Sequence, residues 1–222
     1  MLINEVYACE VLMPTRGALP PVSSFADYFK LNMDIDDVVA QFGYTFEAEA
    51  ARLPRTTRPL PWYADLYARL EASLPYVSLT SETARREFLI APVLLDLARY
   101  LHVKIKVEFA LEVSQQLRGN LDYLVQGQHQ LLVIEAKNAD LQRGFTQLAV
   151  ELIALAQWTG AISIPLYGAV SIGNVWQFGI LHPTTSRIIQ DVNIFRVPAD
   201  LHELLPILVA ILSEETSGAA QP

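Results

Sequence analysis

The chain has 222 residues, 52% hydrophobic and 18% charged, which excludes a disordered polar chain and leaves room for one substantial core, or one core with a small attached unit. The apolar runs at 152–156 and 204–212 are far too short to span a bilayer, and no basic segment near the start leads into an apolar run. Cys9 is the only cysteine, so the expectation is a cytoplasmic protein without an intramolecular disulfide or a thiolate metal cluster.

Charge narrows the choice further. A formal net charge of -8 excludes a generally basic surface, so any grip on a polyanion must come from a local patch. Arg85 with Arg86, Lys104 with Lys106, Arg118 and Arg143 are the candidates; the alternative for each is an ordinary solvated charge.

In chain order, Pro14, Gly17, Pro20 and Pro21 predict an irregular or partly stranded arm over 1–33. Residues 34–43 open with Asp34, Asp36 and Asp37 and close at Gly43, the charge and cap pattern of a helix. A second helical stretch is expected over 45–52. Pro54, Pro59 and Pro61 then make 53–62 an extended connection, whose Arg52, Arg55 and Arg58 either touch a phosphate backbone or sit in solvent. Leu66, Leu70 and Leu74 predict a helix over 62–74.

Residues 81–101 predict a long helix capped by Thr80 or Ser81, with Pro92 expected to bend or break it. Glu87, Ile90, Leu94, Leu97 and Leu101 fall on one stripe. A carboxylate on an apolar stripe is costly unless compensated, so Glu87 either joins a site or pairs with a nearby arginine at the helix edge.

Strands are expected near 103–113, 121–125 and 130–136, paired antiparallel through turns at 118–120 and 127–129. Side chains alternate across a strand, so Glu135 and Lys137 project from one face and Ala136 from the other. Two carboxylates, Asp122 and Glu135, can then converge with one ammonium. Their oxygens and the Ala136 carbonyl suit a hard divalent cation, which can activate a water against a phosphodiester. The alternative is that Glu135 and Lys137 are solvated charges that blunt an edge strand.

Residues 139–158 form a helix with Leu141, Phe145, Leu148, Leu152 and Leu155 as its buried stripe. Gln147 and Glu151 share a face beside it; a solvent-exposed Gln147 is the alternative, and Glu151 reads as a surface or structural residue. Strands at 165–172 and 175–181 flank a Gly173-Asn174 hairpin turn, and 186–192 adds a further strand. An amphipathic helix follows at 200–214, and 217–222 reads as a frayed end. The histidines at 102, 129, 182 and 202 have no ligand spacing. No Gly-rich phosphate loop and no helicase or methylase motif occurs, so the chain carries no motor.

Asp122 followed by Glu135-Ala136-Lys137, with a helix bearing Glu87 before and a helix bearing Gln147 after, resembles the PD-(D/E)XK nuclease superfamily, the restriction-endonuclease-like fold. The resemblance covers 81–181, and Tyr167-Gly-Ala-Val and Val175-Trp-Gln-Phe fit it; Leu121 stands before Asp122 where many members have Pro. It implies an α/β fold: a mixed β-sheet flanked by helices, with an αβββαβ core at 80–215, a mainly helical extension at 1–79 and a flexible tail at 216–222. It also implies Mg²⁺, with Mn²⁺ as a substitute, held by Asp122, Glu135, the Ala136 carbonyl and Glu87. Lys137 would act on the attacking water and the phosphate, and Gln147 would contact the site or substrate.

The expected substrate is nucleic acid, DNA first, cut to leave a 5′-phosphate. No membrane partner is expected. A partner protein supplying target specificity and a homodimer docked through the apolar helix at 201–212 are the arrangements considered. The competing expectation is a nuclease-fold binding module that no longer cuts.

Overall fold

The computed structural model describes residues 19–127 and 140–213 and the backbone of 131–136. Among these residues, local sequence signals account for most elements. Asp34 is the N-cap residue of α2 (Ile35–Ala40), which follows a single-turn α1 (Phe25–Tyr28). The four-residue leucine repeat becomes α3 (Tyr63–Ser73), burying Leu66 and Leu70. Two short helical pieces, α4 (Glu82–Arg85) and α5 (Ala91–Leu101), are followed by β2 (Lys104–Glu112), β3 (Arg118–Gln126) and β4 (Leu131–Ala136). Helix α6 (Leu141–Thr159) starts where the Asp140 side chain accepts from the Arg143 N–H at 3.0 Å, and it ends at Gly160 in the left-handed conformation. Strands β5 (Leu166–Ser171), β6 (Val175–His182) and β7 (Arg187–Arg196) and helix α7 (Leu201–Leu212) complete this half.

With β1 (Thr45–Glu49), the strands make one mixed sheet in the order β1-β7-β6-β5-β4-β3-β2. Pairing is antiparallel except for β1 with β7 and β4 with β5. A parallel pair cannot be joined by a hairpin, and α6 is the crossover that joins β4 to β5. The result is an α/β protein with a mixed sheet between two helical layers.

One core lies under α6, where Phe145, Leu148, Leu152 and Leu155 meet Leu121, Leu124, Val170, Leu181 and Ile188 together with Phe25, Tyr28, Val38 and Val39. Helices α3, α5 and α7 cover the other face, packing Leu70, Leu94, Leu97, Leu204 and Leu208 against Tyr123, Trp176 and Phe178. Each large apolar side chain buried in this way stabilises the fold by roughly 1.5–3 kcal/mol. Close approach of α6 needs glycine beneath it. A Cβ on Gly168 would lie 2.7 Å from Leu148 Cδ1, and one on Gly179 would lie 2.8 Å from Phe145 Cζ.

Three expectations change. Residues 45–52, expected as helix, contain β1, because the free edge of β7 offers a ladder and Phe46 packs edge-on against Phe145 at 6.1 Å. The β2–β3 turn lies at 113–117, not 118–120; Gly119 is inside β3, where a Cβ would approach Phe25 Cδ2 to 2.8 Å. The connection at 53–62 has no helix or strand, as its prolines predict, and is tied to α7: the Thr56 N–H donates to the Pro206 carbonyl at 3.1 Å, and Arg55 lies 3.7 Å from Glu203. Finally, Leu201, Leu204, Leu205, Leu208 and Ile211 of α7 are buried in the chain's own core, so that apolar helix offers no face for docking a second subunit. Among the described residues no helix is long and apolar enough to cross a membrane. Cys9, His129 and the tail at 216–222 lie outside the described residues.

Candidate functional site

Strict alternation along β3 would put Leu121 and Leu124 on opposite faces, yet both are buried in the core under α6, while Tyr123 and Val125 are buried in the other. The pattern slips at Asp122. Across the ladder, pairing runs from Lys104 with Gln126 to Val107 with Tyr123, skips one step, and resumes at Phe109 with Leu121. The skipped residues are Glu108 and Asp122. Glu108 has φ of 51°, a conformation that costs a non-glycine residue about 1 kcal/mol or more and that collects at functional sites. On its other side β3 pairs with β4 up to Tyr123 with Ile134, and the next step of that register would set Asp122 opposite Glu135. Glu135 itself is in register with Val170, whose side chain is buried under α6.

The helix over this point departs from α geometry. Residues Arg86–Ile90 form a π-helical turn between α4 and α5, closed by the Ala91 N–H donating to the Arg86 carbonyl. Pro92 supplies the reason. It has no N–H, and its ring would strike the carbonyl four residues back, so widening the turn just before it relieves the conflict. The extra residue turns the preceding surface by about 100°. Glu87 therefore leaves the stripe of Ile90, Leu94 and Leu97 and is exposed, and Arg86 takes its place. Glu87, which the resemblance assigns to the metal shell, is thus an exposed residue beside Arg86.

Arg86 reaches the ladder break. Its Nη2 donates to Glu108 Oε1 at 3.0 Å, its Nη1 is 3.9 Å from Asp122 Oδ1, and its guanidinium lies over the Tyr123 ring at 5.3 Å. The Asp122 and Arg86 side chains are 15% and 21% exposed. Burial works against the charge on Arg86. The Tyr123 side chain and the Asp122 and Glu108 carboxylates outweigh it, holding the guanidinium above its ordinary pKa and charged at every accessible pH.

On α6 the sequence expectation for Glu151 also changes. Glu151 is fully buried and Gln147 is 3% exposed. Gln147 Nε2 donates to Glu151 Oε1 at 2.8 Å, while its own Oε1 is buried with no hydrogen-bond partner among the described residues. Trp158, seven residues beyond Glu151 on the same stripe, packs edge-on against Phe109 of β2 at 5.6 Å, so this flank overlies the β4–β2 half of the sheet. Thr146 and Gln142, on the opposite flank, instead line a cleft with Asp34 and Asp37 beside α2. Gln147→Leu takes a hydrogen bond from a buried carboxylate and is expected to cost about 1–3 kcal/mol, read as a lower urea midpoint at unchanged slope. A midpoint equal to wild type would show that Glu151 does not depend on this amide.

The β3–β4 register thus runs toward Asp122 and Glu135, Gln147 is buried on α6, and Glu87 is exposed. Lys137 and the side chains of Glu135 and Ala136 lie outside the described residues. Among those described, no three His, Cys, Asp or Glu residues gather as a metal-binding group. Asp122 and Glu135 are carboxylate residues, the donor type a hard divalent cation takes, so their chemistry, together with a backbone carbonyl, suits such an ion. Of the sequence's basic candidates, Arg118 donates to the Ser23 carbonyl at 2.9 Å, Arg85 donates to the Leu79 carbonyl at 2.8 Å, and Arg143 pairs with Asp140 at 3.4 Å. Arg86 alone among them reaches Asp122. The signal that could have separated it from Glu87 was Pro92, read as a widened turn instead of a break. No protein-family model matches the chain, and no curated protein matches it in sequence.

Proposed function

We propose that the chain is a metal-dependent nuclease of restriction-endonuclease-like fold that hydrolyses phosphodiester bonds of nucleic acid, with DNA as the first substrate to test. The observation that carries the reading is the β3–β4 register, whose next step beyond Tyr123 with Ile134 would set Asp122 opposite Glu135 near the end of β4. The order helix, three strands, helix, strand from α5 to β5 supports it. In this reading Asp122, Glu135 and the Ala136 carbonyl hold Mg²⁺. Bound there, the ion supplies a Lewis acid toward a phosphoryl oxygen and a water of lowered pKa. Lys137 orients the attacking water and sets a positive charge toward the phosphate as negative charge grows on it. Gln147 borders the site from α6, and a partner protein supplies target specificity.

A second reading, a binding module that does not cut, is favoured by one observation: Arg86 already places a cation beside Asp122. Cleavage separates the two. Purified protein with Mg²⁺ or Mn²⁺ is incubated with supercoiled plasmid, linear duplex, single strands and RNA. Given the net charge of -8, cutting should be slow and suppressed by added salt, with nicking ahead of linearisation because one site cuts one strand. Lys137→Ala should abolish it. If every substrate stays intact, the binding reading replaces the nuclease one, and equal cutting by Lys137→Ala would trace the activity to a contaminant.

A further inference from the structure

Three departures from regular geometry meet at one residue. The π-helical turn at Arg86–Ile90 presents Arg86, the left-handed backbone of Glu108 breaks the β2–β3 ladder, and the same break carries Asp122. Each is costly by itself, and π turns and left-handed non-glycine residues concentrate where function requires them. What they jointly hold is a guanidinium between two carboxylates, its central carbon 5.3 Å from the centre of the Tyr123 ring and its side chain still partly open to solvent.

A purely structural ion pair does not need this arrangement. Glu108 is half exposed, and an exposed pair contributes little to stability, on the order of 0–1 kcal/mol. A guanidinium held beside Tyr123 and hydrogen-bonded to Glu108 is, however, positioned before any ligand arrives. The guanidinium fork matches two oxygens of a phosphodiester, and Arg binds phosphate through two parallel N–H donors where Lys offers a point charge.

We infer that Arg86 is the phosphodiester-binding residue of this site, held ready by Tyr123 and kept from unproductive contacts by Glu108 and Asp122 until a nucleic-acid phosphate takes the guanidinium over. This deepens the nuclease reading and rests on it only for the identity of the polyanion. It also accounts for how a chain with net charge -8 engages a polyanion: one preset cation at the site does the work that a broad basic surface does elsewhere.

The test is equilibrium binding of fluorescent single-stranded DNA, duplex DNA and RNA in the presence of EDTA, so that cleavage does not interfere. Anisotropy is followed against salt concentration for wild type, Arg86→Gln, Arg86→Lys and Glu108→Gln. Arg86→Gln should weaken binding about 10-fold and lower the magnitude of the log–log salt slope by about 1, the signature of one lost phosphate contact. Arg86→Lys should keep the slope but recover only part of the affinity. Glu108→Gln should bind more tightly than wild type, and the gain should vanish when Arg86→Gln is added, because it comes from the released guanidinium; a gain that survives in the double variant would be mere loss of negative charge and would count against the inference.

Should Arg86→Gln lose its circular dichroism signal, the Arg86→Lys and Glu108→Gln pair still decides the matter. Affinity and slope unchanged in all three variants would overturn the inference while leaving any cleavage by wild type standing. Arg86-dependent binding without cleavage would uphold the inference and remove the nuclease reading. Wild type that binds none of the three probes at low salt would overturn both.

Discussion

Asp122→Asn should slow metal-dependent cleavage by about 10²- to 10⁴-fold while the protein stays folded. The substitution keeps the side chain's size and removes only its charge. Asp122 sits where the β2–β3 ladder skips a step, so no strand hydrogen-bond pairing depends on its carboxylate. Arg86 keeps its 3.0 Å bond to Glu108, so the guanidinium is not cast loose. What is lost is one of the two anionic oxygen groups proposed to hold Mg²⁺, and a hard cation binds by carboxylate charge above all. Single-turnover cleavage at saturating protein measures the rate; calorimetric titration with Mn²⁺ should show heat for wild type and none for the variant. A variant that cuts as fast as wild type, or binds Mn²⁺ with the same heat, would remove Asp122 from the site.

The largest expected effect on stability is at Trp176, the bulkiest fully buried side chain. It stands opposite Ser171 in β6 and packs with Phe178 in the core beneath α5 and α7. Trp176→Ala should cost about 3–5 kcal/mol, because the vacated space cannot be refilled by neighbours fixed on a sheet. A competing term has the opposite sign. Trp176 Nε1 is buried without a hydrogen-bond partner among the described residues, and truncation removes that unpaired donor, a gain of about 1–3 kcal/mol at most. The cavity term wins for alanine. Trp176→Phe, which keeps most of the ring and discards the N–H, should lie close to wild type. Urea unfolding reads both, and a Trp176→Ala midpoint equal to wild type would contradict the two-layer core.

By itself the sequence determined what repeats at short range. The leucine spacing of α3, the stripe of α6, the Gly173-Asn174 turn with Gly173 at φ 93°, and the strand, turn and helix order from β2 to β7 are each set by residues within a few positions of one another. The antiparallel pairing of β3 with β4, whose register runs toward Asp122 and Glu135, was legible for the same reason, since a short connection dictates it.

Tertiary structure decided the rest, wherever a distant partner outweighed a local preference. Residues 45–49 became strand because β7, more than a hundred residues later, had an edge to fill. Position 119, inside β3, takes glycine because Phe25 leaves no room for a Cβ there. Glu151, which reads locally as a surface charge, is buried because α6 lies between the sheet on one side and α1 and α2 on the other. At the site, one residue's worth of helical twist ahead of Pro92 exchanged Glu87 for Arg86. Helical periodicity assumes a constant turn, and it cannot register a single inserted residue; only packing against β2 and β3 fixes which of two adjacent side chains, one acidic and one basic, faces Asp122.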